Sequence, residues 1–258
     1  MSTAYCRCMT TGTADLHMHT TCSDGFSTPE RLARHLLGVD LDVVSVTDHD
    51  SIEGSLRVRA ALAGEGPEVV IGEEVSSAHG HILGLYLEQR IRPGMSAPAT
   101  IAAIHEQGGL AVAAHPYQLP WAKGRKHYLG VGELAWTLPF DAVEVVNGAP
   151  AMELSNLRAR RRSAGMQRAR MGGSDAHVVR GVGHVHTVFE GTTAAELRQA
   201  IESASVRPAV RRVRKVLATP SHVAWLIGRH PLRRVAGPEF MSPRLRWGSS
   251  AVEIGARD

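Results

Sequence analysis

The sequence predicts an α/β fold with a mostly parallel sheet, and three observations predict it. Short apolar, β-branched runs alternate with helical patterns along most of the 258 residues. A hydrophobic share of 43% lets a chain of this length bury one substantial core, as α/β barrels of this size do. Five short polar stretches each sit at the end of an apolar run: Asp15-Leu16-His17-Met18-His19, Asp48-His49-Asp50, Gly72-Glu73-Glu74 with His81, His115-Pro116, and Gly173-Ser174-Asp175-Ala176-His177.

The elements follow in order. A strand is expected over 14–18, then a helix over 29–38 opened by Thr28 before Pro29. Residues 42–47 read as a second strand, and Ser51 caps a helix running to 63. Strands over 69–71 and 81–87 and a helix over 99–107, stopped by Gly108-Gly109, come next. A fully apolar strand over 110–114 leads into a long loop, 116–138, which holds Trp121, Lys123, Arg125, Lys126, His127, Tyr128 and Trp136. Strands over 141–146 and 169–173 flank a helix over 151–165, whose Arg158, Arg160, Arg161 and Arg162 read as a solvated face. A strand over 185–189, a helix over 193–203 and a returning strand over 206–213 complete the pattern. Residues 1–12 read as a flexible leader, 13–212 as the domain, and 213–258 as a basic, Pro-containing extension.

Composition narrows the function classes. The formal charge of +4 comes with 26 Arg and three Lys, a modest excess that fits an anionic substrate without requiring one. Fourteen His is the compositional oddity. Cys6, Cys8 and Cys22 cannot form a disulfide framework and nothing before them reads as a signal peptide, so a cytoplasmic, reducing setting is expected. No apolar run has the length of a membrane span, so no membrane partner is expected.

On a strand, side chains alternate faces, so Asp15, His17 and His19 share one face while Leu16 and Met18 point into a core. Two imidazoles and a carboxylate on one face make a metal-binding edge. A lone His is ordinarily a hydrogen-bonded core residue, but that reading would have to be repeated at all five stretches. In α/β barrels the loops at the C-terminal rim converge, so residues far apart in sequence can meet in one cup.

At these residues the chain resembles the polymerase and histidinol phosphatase (PHP) family. Asp15-Leu-His-Met-His-Thr-Thr-Cys-Ser-Asp24-Gly25, Thr47-Asp-His-Asp50, Gly72-Glu-Glu74, His81-Ile-Leu-Gly84, Ala114-His-Pro116 and Gly173-Ser-Asp-Ala-His177 match its motifs in order. The resemblance implies a distorted (β/α)7 barrel of the PHP type with a short C-terminal extension, binding two or three divalent cations (Zn, Mn or Fe). It implies one ion on His17, His19, Glu74 and Asp175, a second on Glu74, His81 and His115 with Glu74 bridging, and a third on Asp24, His49 and His177. The family's spacing selects Glu74 over Glu73 and His81 over His79. Glu74, Asp175, His177 and Arg180 form the expected catalytic group.

Asp15 and Asp48 are expected to orient imidazoles and support local structure, and Lys123, Arg125, Lys126 and Arg180 are the candidates to grip phosphate oxygens; the sequence singles out no general acid, for which His127, His184 or a metal-bound water are the candidates. Only 33 residues separate His81 from His115, which leaves little room for a cap domain and predicts an open cup. The expected function is a metal-dependent phosphoesterase, hydrolysing a small phosphorylated metabolite or nucleotide by attack of a metal-bridging hydroxide. The alternatives are a 3′-5′ exonuclease on oligonucleotides and a non-catalytic metal-binding or nucleic-acid-binding module, with nucleic acid the less favoured partner. The oligomeric state is left open.

Overall fold

The computed structural model describes residues 10–118 and 129–211. Cys6, Cys8, Trp121, Lys123, Arg125, Lys126, His127, Tyr128 and the C-terminal extension lie outside the described residues. Those described all belong to one compact unit, Met1–Val213.

Two five-stranded sheets carry the fold. The first runs in the order β10 (Arg207–Val210), β9 (Val185–Glu190), β1 (Thr11–Asp15), β2 (Val43–Val44), β3 (Glu68–Val69). The second runs β4 (Gly72–Ser77), β5 (Gly80–Leu85), β6 (Leu110–Ala113), β7 (Ala142–Asn147), β8 (Ala169–Gly173). Ala14 and Val43 from the first sheet, with Leu16 just past β1, pack with Leu83, Leu85, Val112, Ala142 and Met171 from the second in a single apolar cluster. Helices α1 (Pro29–Leu36) and α2 (Glu53–Leu62) cover β2 through Leu32, Leu36, Val58 and Leu62. Ile101 and Ile104 of α3 (Ala97–Glu106) and Ala159 of α5 (Glu153–Arg162) pack on the other side of the second sheet, while α6 (Ala194–Glu202) adds Leu197 and Ile201 to the shared cluster. A one-turn helix α4 (Leu134–Thr137) lies within the long loop.

Local chemistry explains the helix starts. The Thr28 hydroxyl accepts from Arg31 N at 3.3 Å ahead of Pro29, and the buried Pro29, Leu32, Ala33 and Leu36 repeat at helical spacing. Thr193 and Glu196 close a capping box on α6. Ser51 acts one residue outside the expected position: its hydroxyl accepts from Glu53 N at 3.2 Å, but Ile52 is the cap residue.

The architecture departs from the expected mostly parallel barrel. Pairs β1–β2, β2–β3, β6–β7 and β7–β8 are parallel, while β1–β9, β9–β10, β4–β5 and β5–β6 are antiparallel. A hairpin joins β4 to β5 with no helix between them, and Gly80, at φ 130°, makes its turn possible. No ladder closes the sheets into a (β/α)7 barrel among the described residues; they meet through isolated bridges, Met18 with Ala176 and His49 with Glu74. A side chain does the same between β8 and β9. Thr187 Oγ1 accepts from Gly172 N at 3.0 Å and donates to Gly172 O at 2.9 Å, taking the place of a neighbouring backbone. No helix among the described residues is long and apolar enough to cross a membrane.

Thr187 is fully buried. Thr187→Val keeps the shape and strands both Gly172 groups, so denaturant unfolding should show a loss of about 2 kcal/mol, whereas Thr187→Ser should stay near wild type.

Candidate metal centre

The polar stretches converge. His17 and His19 follow β1, His49 follows β2, His115 follows β6, and Asp175 and His177 follow β8. Glu74 departs from the expected strand end: it sits inside β4, paired with Leu83 of β5. Neighbouring residues on a strand face opposite ways, and the pair Glu73 and Glu74 obeys this. Glu74 turns into the cluster, while Glu73 accepts from Ile91 N at 2.8 Å. His81 lies on β5, and the exposed His79 instead accepts from Ala97 N at 3.1 Å.

Glu74 is the hub. Its Oε1 lies 2.9 Å from His81 Nδ1 and 3.0 Å from His115 Nε2. Its Oε2 lies 3.3 Å from His17 Nε2, His19 Nε2 and His49 Nδ1. Asp175 Oδ1 stands 3.2 Å from His19 Nε2, 3.6 Å from His17 Nε2 and 3.6 Å from His177 Nδ1. Asp24 reaches His177 at 3.2 Å, His19 at 3.4 Å and His49 at 3.5 Å. All nine residues expected as ligands therefore fall into overlapping groups whose donor atoms lie within 4.8 Å of one another.

Buried charge dictates the electrostatics. Burial pushes the Glu74 carboxyl up, but His49, His81 and His17 outweigh it and hold it well below the usual carboxylate range. Asp175 is likewise held low against burial by His17, His19 and His177, and Asp24 by His177, His49 and His19. The imidazoles divide. Burial lowers His17 and His49, but the carboxylates around them win, raising His17 strongly and His49 to about 9. In His19 and His81 burial and neighbouring imidazoles win and the pKa falls. The carboxylates call for more positive charge than adjoining imidazoles can carry together.

A divalent cation suits this arrangement. His17 Nε2, His19 Nε2, His49 Nδ1 and His81 Nδ1 are buried and make no hydrogen bond, although each lies beside a Glu74 oxygen. Two ligands each about 2.1 Å from one ion sit roughly 3.0–3.4 Å apart, which is the spacing seen here. His115 and Asp175 hold φ of 25° and 50°, the left-handed backbone found where a site over-determines its residues.

Supporting residues divide into those foreseen and those missed. Asp48 accepts from Thr20 N at 2.7 Å, Thr20 Oγ1 at 2.6 Å and Ser23 Oγ at 2.6 Å, so it holds the loop presenting Asp24 and reaches an imidazole only through Ser23, whose hydroxyl lies 3.5 Å from His19 Nδ1. Asp15 accepts from Ser174 N at 3.0 Å and Gly183 N at 2.7 Å, tying β1 to the segment after β8; burial pushes its carboxyl up to about 6. Glu144 and Asn147 of β7 were not anticipated. Glu144 Oε1 lies 3.0 Å from His17 Nδ1, and Asn147 Nδ2 donates to Asp175 Oδ2 at 3.1 Å. A charged residue inside the apolar run 142–146 was the available signal.

Arg180 is exposed on a 3₁₀ turn, Val179–Gly181, and no ion pair among the described residues links it to the cluster. Among the described residues no hydrogen bond or ion pair links His184 to the cluster either. Trp136 is packed down, its Nε1 donating to Tyr117 Oη at 2.8 Å. Arg158 and Arg162 are more than a solvated face. Both pair with Glu133 at 3.2 Å, and their guanidiniums lie over the Tyr117 and Trp136 rings.

Gly173 is required by close approach: a Cβ there would lie 2.4 Å from Glu144 Oε1 and 2.7 Å from His17 Cβ. Gly173→Ala should destabilise the chain by about 1–3 kcal/mol in thermal or denaturant unfolding; an unchanged midpoint would contradict this packing.

Comparison with known proteins agrees with this geometry. A PHP-associated family model matches residues 153–206. The chain is 37% identical over 145 residues to an uncharacterized protein of Methanocaldococcus jannaschii, covering 52% of this chain and 81% of that protein. It is 34% identical over 87 residues to a 5′-3′ exoribonuclease of Haemophilus influenzae, which is 32% of this chain and 31% of the relative, so it spans under a third of that enzyme. Among solved structures, a two-domain Bacteroides vulgatus protein containing a predicted PHP-like metal-dependent phosphoesterase superposes with a TM-score of 0.60 at 18% identity, over 79% of this chain and 66% of that one, just under two thirds of its length. A lesion-specific endonuclease of Pyrococcus furiosus gives a TM-score of 0.53 at 19% identity, over 75% and 56%. At these identities the structural likenesses speak to the fold alone. The ordered motifs, the M. jannaschii relative and the shared fold together place this chain in the PHP family.

Proposed function

We propose that the chain is a metal-dependent phosphoesterase acting on a small phosphorylated metabolite or nucleotide, as a phosphomonoester or phosphodiester. The observation that carries this reading is Glu74, which turns one oxygen to His81 and His115 and the other to His17, His19 and His49. That split supports two cations sharing one carboxylate. His17, His19, Glu74 and Asp175 would hold one ion, Glu74, His81 and His115 a second, and Asp24, His49 and His177 a third. Mixed imidazole and carboxylate donors suit Zn, Mn or Fe. Bound there, divalent cations supply a water acidic enough to attack near neutral pH and positive charge for the phosphoryl oxygens.

The chain's own residues set the direction of approach. The side chains of His17, His19 and His115 are at most 2% exposed, while those of His49, His81 and His177 are 26%, 17% and 11% exposed. The ester therefore enters on the side of His49, His81 and His177. His177 Nδ1 lies 3.0 Å from the Asp175 carbonyl, which keeps its proton there and turns Nε2 toward Asp24. Arg180, three residues past His177, is the proposed anchor for non-ester phosphate oxygens.

An exonuclease is the second reading, supported by the H. influenzae match. The polarity in that relative's name is opposite to the 3′-5′ direction expected from the sequence.

The test is to load the purified chain with Mn or Zn and assay aryl phosphate monoesters, diesters and an oligonucleotide ladder with and without chelator. Chelator-sensitive turnover is expected, and its absence on every substrate would leave only the non-catalytic metal-binding reading. Glu74→Gln should lose bound metal and lower kcat/KM by at least about 100-fold. Glu73→Gln, altered on the opposite face of β4, should keep both; the reverse result would move the bridging role to Glu73.

A further inference from the structure

We infer that Glu144 is a positioning residue that presets three of the proposed ligands at once, an inference resting on the cation-cage reading above. Glu144 is buried in β7 and belongs to none of the donor groups. Its Oε1 lies 3.0 Å from His17 Nδ1. Its Oε2 accepts from His115 N at 2.9 Å and from Asn147 Nδ2 at 2.9 Å. The same Asn147 amide donates to Asp175 Oδ2 at 3.1 Å. One carboxylate therefore connects ligands following β1, β6 and β8.

The chemistry of that carboxylate is specific. Ionised, it only accepts, so the neutral His17 ring, the form that binds a cation, must carry its proton on Nδ1. The lone pair is then on Nε2, which faces Glu74 Oε2 at 3.3 Å and Asp175 Oδ1 at 3.6 Å. The other oxygen holds the backbone N–H of His115 at φ 25°, so it steadies a strained residue from behind. A bulge between Glu144 and Val146 permits this. Residues three apart on a regular strand face opposite ways, and the extra residue brings Glu144 and Asn147 to the same side.

Glutamine cannot reproduce the arrangement. With its oxygen toward His17, its amide faces two further donors, His115 N and Asn147 Nδ2. With its amide toward His17, the imidazole must accept at Nδ1, and its proton moves to Nε2 and blocks the ligand position. Glu144→Gln thus alters the His17 tautomer or the support of His115 while conserving size.

The experiment compares full-length wild type, Glu144→Gln and Glu144→Asp by Mn titration calorimetry, by elemental analysis after Zn loading, and by NMR of the histidine ring nitrogens without metal, at a pH high enough for His17 to be neutral. Glu144→Gln should stay folded by circular dichroism, bind Mn about 10–100-fold more weakly, and show either the His17 signal moved away from the Nδ1-protonated tautomer or the His115 amide resonance displaced. Wild-type affinity together with unchanged His17 and His115 signals would overturn the inference. If Glu144→Gln does not fold, Glu144→Asp, which keeps the charge but draws it back from His17, carries the test: weaker Mn binding is expected and wild-type binding overturns it. A wild-type chain that takes up neither Mn nor Zn overturns the cage reading and this inference with it, whereas metal bound equally by wild type and Glu144→Gln with unchanged His17 and His115 signals overturns this inference alone.

Discussion

The carboxylate of Glu74, 1% exposed and within 3.3 Å of five imidazoles, is the constraint around which the rest of the unit is arranged. A buried charge is costly unless it is paired. Here three carboxylates, Asp24, Glu74 and Asp175, crowd together and are all held ionised by the rings around them. Those rings cannot all take protons at once, since burial and charged neighbours both disfavour it: burial, His177 and His49 lower His19, and burial, His49 and His115 lower His81. The arrangement is balanced when a centre carrying more than one positive charge sits among them.

The fold serves this by bringing strand ends from two sheets to one place and then bracing them from behind. Asp15 ties β1 to the backbone of Ser174 and Gly183, and Asp48 pins the loop ahead of Asp24. Glu144 and Asn147 back His17, His115 and Asp175. Each brace ends on backbone N–H groups, a ligand side chain or both, so the cluster's geometry is set by rigid elements before any substrate arrives.

Much of the cluster was legible in the sequence because its chemistry is concentrated in residue types that strand ends rarely need. Asp15, His17 and His19 at alternating positions, and Asp175 with His177, could be read from strand periodicity and residue type. The antiparallel pairings were not legible. Strand β4 contains Glu73, Glu74, Ser76 and Ser77, which obscure its period, and its hairpin turn offers only Gly80 as a marker. Glu144 was missed for a related reason. It stands singly in a β-branched run, and the bulge that aligns it with Asn147 leaves no mark on composition. The strand expected over 42–47 is Val43–Val44, and beyond it single backbone bonds, Ser45 N to Asp15 O and Thr47 N to Met18 O, continue alongside the segment after β1.

Anomalous diffraction from crystals of the full chain soaked in Mn tests the central claim most directly. A cation cage predicts anomalous peaks beside both oxygens of Glu74, one toward His81 and His115 and one toward His17 and His19. Diffraction of good quality with no anomalous density between Glu74 and these histidines, or with Mn only at surface carboxylates, would contradict it.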